Sequence, residues 1–195
     1  MTATSSRPTA GTNSKQAHTS ILSNPKGYPS PVQLATPTDL SREGVEAITE
    51  AINPITADSF ALYVKTKNFH WHLATSHFRD YHLMFDEQAE QIFATIDVLA
   101  ERIRKIGGTT IRSISHISQL QSVQDNNSDF VTPLEMLKEL MEDNRKTNAS
   151  MRKAHEVCDQ YKDVATASLL EVFIDETERR IWFLHAATQG AEHTR

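Results

Sequence analysis

Four histidines, His70, His72, His77 and His82, fall within thirteen residues, and carboxylates follow them at helical spacing. Imidazole nitrogens and carboxylate oxygens together suit iron, manganese or zinc. On a helix advancing about 100° per residue, with His82 at zero, Asp86 lies near about 40°, Asp97 near about 60° and Glu101 near about 100°. All four share one face, and Glu90 lies on it between them. His82/Asp86 and Asp97/Glu101 are each spaced i,i+4, so each pair can point two ligands at one place. Asp86 and Asp97, however, are separated by roughly 16 Å along the axis. One straight helix cannot bring both to one small site. Two copies packed antiparallel about a two-fold axis can, because the His82/Asp86 end of one then meets the Asp97/Glu101 end of the other. His70 can add a second imidazole near His82, and Glu101 can bridge two metals. The competing reading is a solvated acidic helix face with histidines in wet gaps between helices. Residue types alone select neither the metal nor the reaction.

These side chains need long helices to hold them. From Leu40 the pattern is helical, with Asp39 or Ser41 available as a cap and apolar residues at Val45, Ile48, Ile52, Ile55, Phe60, Val64 and Phe69. Pro54 interrupts that run, either starting a new helix or kinking a longer one. A short connection with Ser76 as cap leads to a second helix, about His77 to Ile106, stopped by Gly107-Gly108. A short helix in SISHISQLQSV follows. Thr132-Pro133 signals a third long helix reaching about Tyr161. A fourth spans about Val164 to Thr188, with Leu170, Phe173, Ile174, Ile181 and Leu184 on its apolar stripe, and Gly190 ends it. No strand alternation of any length occurs. The expected fold is all-α: a four-helix bundle with a short helix between helices two and three.

Composition bounds the rest. The 195 residues suffice for one domain, and the formal net charge is -5. No run approaches the length of a membrane span, and no charged start followed by an apolar run suggests a secretory signal. Cys158 is the single cysteine, which excludes an intrachain disulfide and fits a reducing cytoplasm. In its helical context it reads as packing. Residues 1–38 are rich in Ser, Thr, Pro and Gly, carry Arg7, Lys15 and Lys26, and contain no acid; this segment is +3 against -8 for the remainder. The expected organisation is a flexible tail over 1–39 with room for part of it to be pinned on the domain surface, a bundle over 40–190, and a short tail over 191–195.

KNFHWH, HFRDYHLMFDEQ and IDVLAERIRKIGG resemble the Dps family of small ferritin-like proteins, and the resemblance covers about residues 41–189. It implies a ferritin-like bundle assembled into a hollow homo-dodecamer built from two-fold dimers. It also implies a dinuclear iron site at each dimer interface. His70, His82 and Asp86 match the family's two histidines and first aspartate; Asp97 and Glu101 match its second aspartate and glutamate. Members oxidise Fe(II), usually preferring hydrogen peroxide to dioxygen, and store a ferric mineral. Trp71 adjoins the site and could donate an electron or simply pack at the interface. His72, His77 and His116 are extra histidines that could shift selectivity toward zinc as a competing metal. Asp159 and Asp163 are candidates for an acidic pore that concentrates Fe(II). DNA is a further partner implied by the family, weakly served here by a +3 tail on an acidic shell, with a cytoplasmic and nucleoid-associated location. The rival readings are a structural nucleoid protein whose metal stabilises assembly, and a dimetal bundle enzyme of another kind. The second is disfavoured because no Glu-x-x-His occurs.

Overall fold

The computed structural model describes Met1 and residues 34–191. The basic tail residues Arg7, Lys15 and Lys26 and the last four residues lie outside the described residues. Five helices follow in order: α1 (Arg42–His72), α2 (Phe78–Lys105), α3 (Ile114–Leu120), α4 (Pro133–Gln160) and α5 (Val164–Ala191). No strand occurs among the described residues. The fold is the expected all-α four-helix bundle with a short helix in the connection between α2 and α4.

Local chemistry accounts for most boundaries. Ser41 caps α1, its Oγ accepting from the Gly44 amide at 3.1 Å. Pro54 neither starts a helix nor breaks one; α1 runs through it. Ile48, Ile52 and Ile55 are buried around it, and their burial offsets a mid-helix proline cost of about 3 kcal/mol. Ser76 is not the cap of α2. His77 holds that position without a side-chain cap bond, and Thr75 Oγ1 instead accepts from the His77 amide at 3.3 Å. Gly107 adopts φ +91° past the end of α2. Its amide donates to Arg104 O at 3.1 Å, and the Gly108 amide donates to Ile103 O at 2.9 Å, a Schellman closure. Thr132 and Glu135 form a reciprocal capping box before Pro133. Gly190 does not end α5, which continues to Ala191.

Two apolar clusters fill the bundle. One centres on Ile48, Ile52, Leu99, Ile103, Met151 and Leu170, the other on Leu62, Phe69, Phe85, Leu137, Leu140 and Leu184. Between them runs a polar waist of Thr56, Ser59, Asn144, Thr147 and Thr177, all buried and each bonded back to the carbonyl four residues earlier. Lys65 and Asp143, both buried, pair at 2.6 Å and tie α1 to α4. Buried Asp58 accepts from the Ser122 and Val123 amides at 2.5 and 2.9 Å, anchoring the chain after α3. Cys158 is fully buried; burial, then Asp163 and Asp159, push its thiol up to about 12, as suits a packing residue.

Two placements differ from the sequence reading. Val64 is 58% exposed, so it faces away from this protomer's core. Asp163 is buried and faces no solvent channel: it accepts from the Thr166 amide at 3.1 Å to cap α5 and pairs with Arg102 Nη2 at 2.7 Å. Ahead of α1, Leu34 O accepts from Arg104 at 2.5 Å and Thr36 Oγ1 donates to Arg104 O at 2.8 Å, which pins this stretch on the end of α2.

Asp163→Ala removes a helix cap and strands the Arg102 cation, so stability should fall by about 3 kcal/mol. Urea unfolding checks this; a change under about 0.5 kcal/mol would show that Asp163 is replaceable.

Candidate metal centre

His70 lies in the last turn of α1 and His82 in the second turn of α2, joined by a five-residue connection in which Leu73 is buried. The antiparallel return stacks their rings at 3.7 Å with planes 19° apart. Each ring is fixed by the other residue's backbone. His70 Nδ1 lies 2.9 Å from His82 O, and His82 Nδ1 lies 3.1 Å from His70 O. A carbonyl only accepts, so each Nδ1 carries the hydrogen, and in the neutral ring each Nε2 presents a lone pair. Such a backbone lock is how a metal-binding histidine is oriented. Phe78 stacks on His82 at 4.8 Å and shields that side.

Asp86, one turn beyond His82, turns toward the same edge; its Oδ1 is 3.9 Å from His70 Nε2. Its immediate partner is Lys67, whose ammonium pairs with Oδ1. That hydrogen bond holds the Asp86 carboxyl below its ordinary value, with help from the Lys67 charge, His70 and His82, while burial opposes it. The same bond raises Lys67 above the usual lysine value. Lys67 did not figure in the sequence reading. Its signal was available: it stands three residues before His70 on α1, hence on the same face.

Asp97 and Glu101 are not brought to this cluster. Both are exposed on the distal part of α2. Glu101 pairs with Lys105 at 3.0 Å. Asp97 lines an apolar groove of about 500 Å³ with Phe60, Phe93, Ile96, Ile111 and Ile114. Among the described residues, no three His, Cys, Asp or Glu side chains converge closely enough within one protomer to hold a metal ion. The five candidate residues thus fall in two groups, His70, His82 and Asp86 where α1 meets α2, and Asp97 and Glu101 farther along α2.

Trp71 is 65% exposed. It lines a groove of about 630 Å³ with Val64, Asn68, His72, Ile114 and Asn126. The extra histidines stay apart from the stack: His72 Nδ1 lies 2.9 Å from Asn68 O, His77 leans on Tyr81 at 5.9 Å, and His116 sits in α3.

Comparison with known proteins places this arrangement. The ferritin-like domain family matches residues 49–192. A low temperature-induced protein of Nostoc is 31% identical over 154 residues, covering 78% of this chain and 84% of the relative. "DNA protection during starvation protein 1" of Deinococcus radiodurans is 26% identical, covering 75% and 71%. The crystal structure of a Dps protein from Bacillus brevis superposes with a TM-score of 0.72 at 27% identity, covering 75% of this chain and 98% of that one. The chain belongs to the Dps family of ferritin-like proteins. Membership carries the family's general iron-handling role. In this Dps chain the imidazole pair is locked and aimed, and the nearest carboxylate is held by a lysine. Among the described residues, no helix is long and apolar enough to cross a membrane.

The Lys67–Asp86 pair has a defined pH window. Because Asp86 is depressed, its contribution is complete above the ordinary aspartate range and fades as pH falls through the lowered Asp86 value. Because Lys67 is raised, the pair persists until pH climbs through the raised lysine value. In Lys67→Met the Asp86 carboxyl should titrate higher, near the ordinary aspartate value. Carboxyl ¹³C chemical shifts followed against pH check this; an unchanged midpoint would mean that the lysine does not govern Asp86.

Proposed function

We propose that the protein is a ferroxidase and iron-storage mini-ferritin. Its sites form between two chains: His70, His82 and Asp86 from one, Asp97 and Glu101 from the other. The single observation that carries this reading is the locked His70/His82 pair, with both Nε2 atoms outside the backbone lock and Asp86 Oδ1 3.9 Å from one of them, placed where α1 meets the start of a helix whose Asp97/Glu101 pair stands exposed farther along. An antiparallel pairing of two α2 helices about a two-fold axis joins the halves twice over. The surface beside Asp97 supports such a partner: Phe93 is 55% and Ile114 79% exposed, and Val64 at 58% and Trp71 at 65% line the adjoining groove that Ile114 shares, so apolar surface that favours burial against another chain runs across both. Trp71, on this face, packs against the second chain and stands ready to donate an electron.

Iron is the substrate. Two Fe(II) ions bound together supply the two electrons that reduce one hydrogen peroxide to two waters, taking up two protons and leaving two Fe(III). No hydroxyl radical is released. Carboxylates favour the hard ferric ion, and imidazoles complete a site that still admits Fe(II). Fe(II) must displace the Lys67 ammonium from Asp86, so Lys67 sets a threshold for filling that position and weights the site against weakly bound cations. Zinc competes for the same ligands. Ferric product accumulates as mineral inside a closed homo-oligomer, the dodecamer of the family resemblance, in the cytoplasm. DNA contact through the acid-free tail is a secondary property.

Stopped-flow absorbance of Fe(II) oxidation by hydrogen peroxide tests the reading. Fast turnover at two Fe(II) per peroxide is expected. It should fall more than about 100-fold in His82→Ala and in Glu101→Gln, since loss of even an outer hydrogen-bond partner costs about 10- to 100-fold. No catalysis above buffer by intact, zinc-free particles would overturn it. Retention of duplex DNA at physiological salt by such inactive particles would instead point to a structural, nucleoid-associated role.

A further inference from the structure

A metal ion that takes Asp86 must send the Lys67 ammonium elsewhere, and α2 offers a second carboxylate within its range. Lys67 pairs with Asp86 across the α1–α2 junction. Four residues earlier on α1, the Tyr63 ring meets Phe93 of α2, with centroids 5.0 Å apart. The helices run antiparallel, so these two contacts bracket the stretch of α2 from Asp86 to Phe93. Glu90 stands inside that bracket. It lies one turn beyond Asp86, roughly 6 Å along the axis, and within about 60° of both Asp86 and Phe93 around it.

Side-chain direction favours the encounter. Side chains on an α-helix lean toward its N-terminus. On α1 this turns Lys67 toward the level of Tyr63, and so toward Glu90. On α2 it turns Glu90 back toward Asp86. Glu90 is exposed, and among the described residues no hydrogen bond or ion pair engages it. Its charge nevertheless reaches Lys67: the lysine is raised first by its hydrogen bond to Asp86, against burial, and then by Asp86, Tyr63 and Glu90 acting through space. The four-carbon stem of a lysine is flexible, but this side chain is only 18% exposed. Displaced there without a partner, the ammonium would carry a desolvation cost that counts against metal binding.

We propose that Glu90 is a positioning residue for the metal centre: it receives the Lys67 ammonium when a divalent ion takes Asp86. The inference rests on the ferroxidase reading and names the part that regulates filling of the Asp86 position. Lys67 then has two carboxylate docks, one turn apart on α2. At the first it neutralises Asp86, as the structure shows. At the second it neutralises Glu90 and leaves Asp86 to the metal. Glu90 does not ligate the ion in this scheme; it acts through the lysine, by lowering the cost of moving it.

Calorimetric titration of the assembled full chain with Co(II) under argon tests this without any oxidation step. Binding should be lost in His82→Ala, which marks the site being read. Lys67→Met should tighten binding about 10-fold, because the competing cation is gone. Glu90→Gln should weaken binding about fourfold on its own and leave it unchanged in the Lys67→Met background. A merely structural role would not produce that coupling. Crystals soaked in Co(II) should show Lys67 Nζ within ion-pair distance of the Glu90 carboxylate. A Glu90→Gln effect that persists without Lys67 would assign Glu90 to the metal itself and overturn the proposal, as would Lys67 still paired with Asp86 in loaded crystals. Binding through His82 that ignores Glu90 would overturn this inference alone. No Co(II) binding through His82 would overturn it together with the ferroxidase reading.

Discussion

An α-helix advances about 1.5 Å per residue and does not fold back on itself, and the candidate metal centre follows from that rigidity. Asp86 and Asp97 share one face of α2 but lie roughly 16 Å apart along it. Within one chain the imidazoles and one carboxylate gather at one end, and the Asp97/Glu101 pair remains alone at the other. Each half lacks what the other offers. The exposed apolar residues beside Asp97 give a second chain a reason to bind, because burying them removes unfavourable contact with water. Under the proposed function catalysis and assembly become one problem: a shared site would exist only where the interface exists.

Within the half-site that the protomer does complete, backbone geometry does the orienting. The connection between α1 and α2 brings the His70 and His82 carbonyls within reach of each other's Nδ1, so two rings are aimed without any outer carboxylate. Asp86 is ordered differently, by an ammonium at the position from which it could also accept a metal ion. The result is an imidazole and carboxylate cluster in which Lys67 balances the charge of Asp86. That balance lowers the cost of holding an aspartate at a helix–helix junction.

Much of this was legible in the residues. Ser41, the Thr132-Pro133-x-Glu135 box and Gly107-Gly108 mark helix ends by local hydrogen bonding, and the structure uses all of them. The shared face of His82, Asp86, Asp97 and Glu101 follows from helical periodicity alone. What escaped depends on neighbours distant in sequence. Pro54 looked like an interruption, but core packing around it carries the helix through. Asp163 looked like a solvated pore carboxylate until α2 supplied Arg102. Val64 fits an apolar stripe, and periodicity cannot say whether a stripe faces its own core or another chain. The Lys67–Asp86 pair spans two helices and needs their relative rotation, which the sequence does not state. Gly190 lies inside α5, where helical backbone outweighs the preference of glycine for helix ends.

The most direct test of a site shared between chains is complementation. One chain would carry His70→Ala and His82→Ala, the other Asp97→Asn and Glu101→Gln. Each alone should assemble and fail to oxidise Fe(II). Co-assembled from equal amounts, half the two-fold dimers are mixed and each restores one complete site, so activity should return to about one quarter of the unaltered protein. No recovery, in particles shown by mass spectrometry to contain both chains, would contradict the shared site and place the ligands within a single chain.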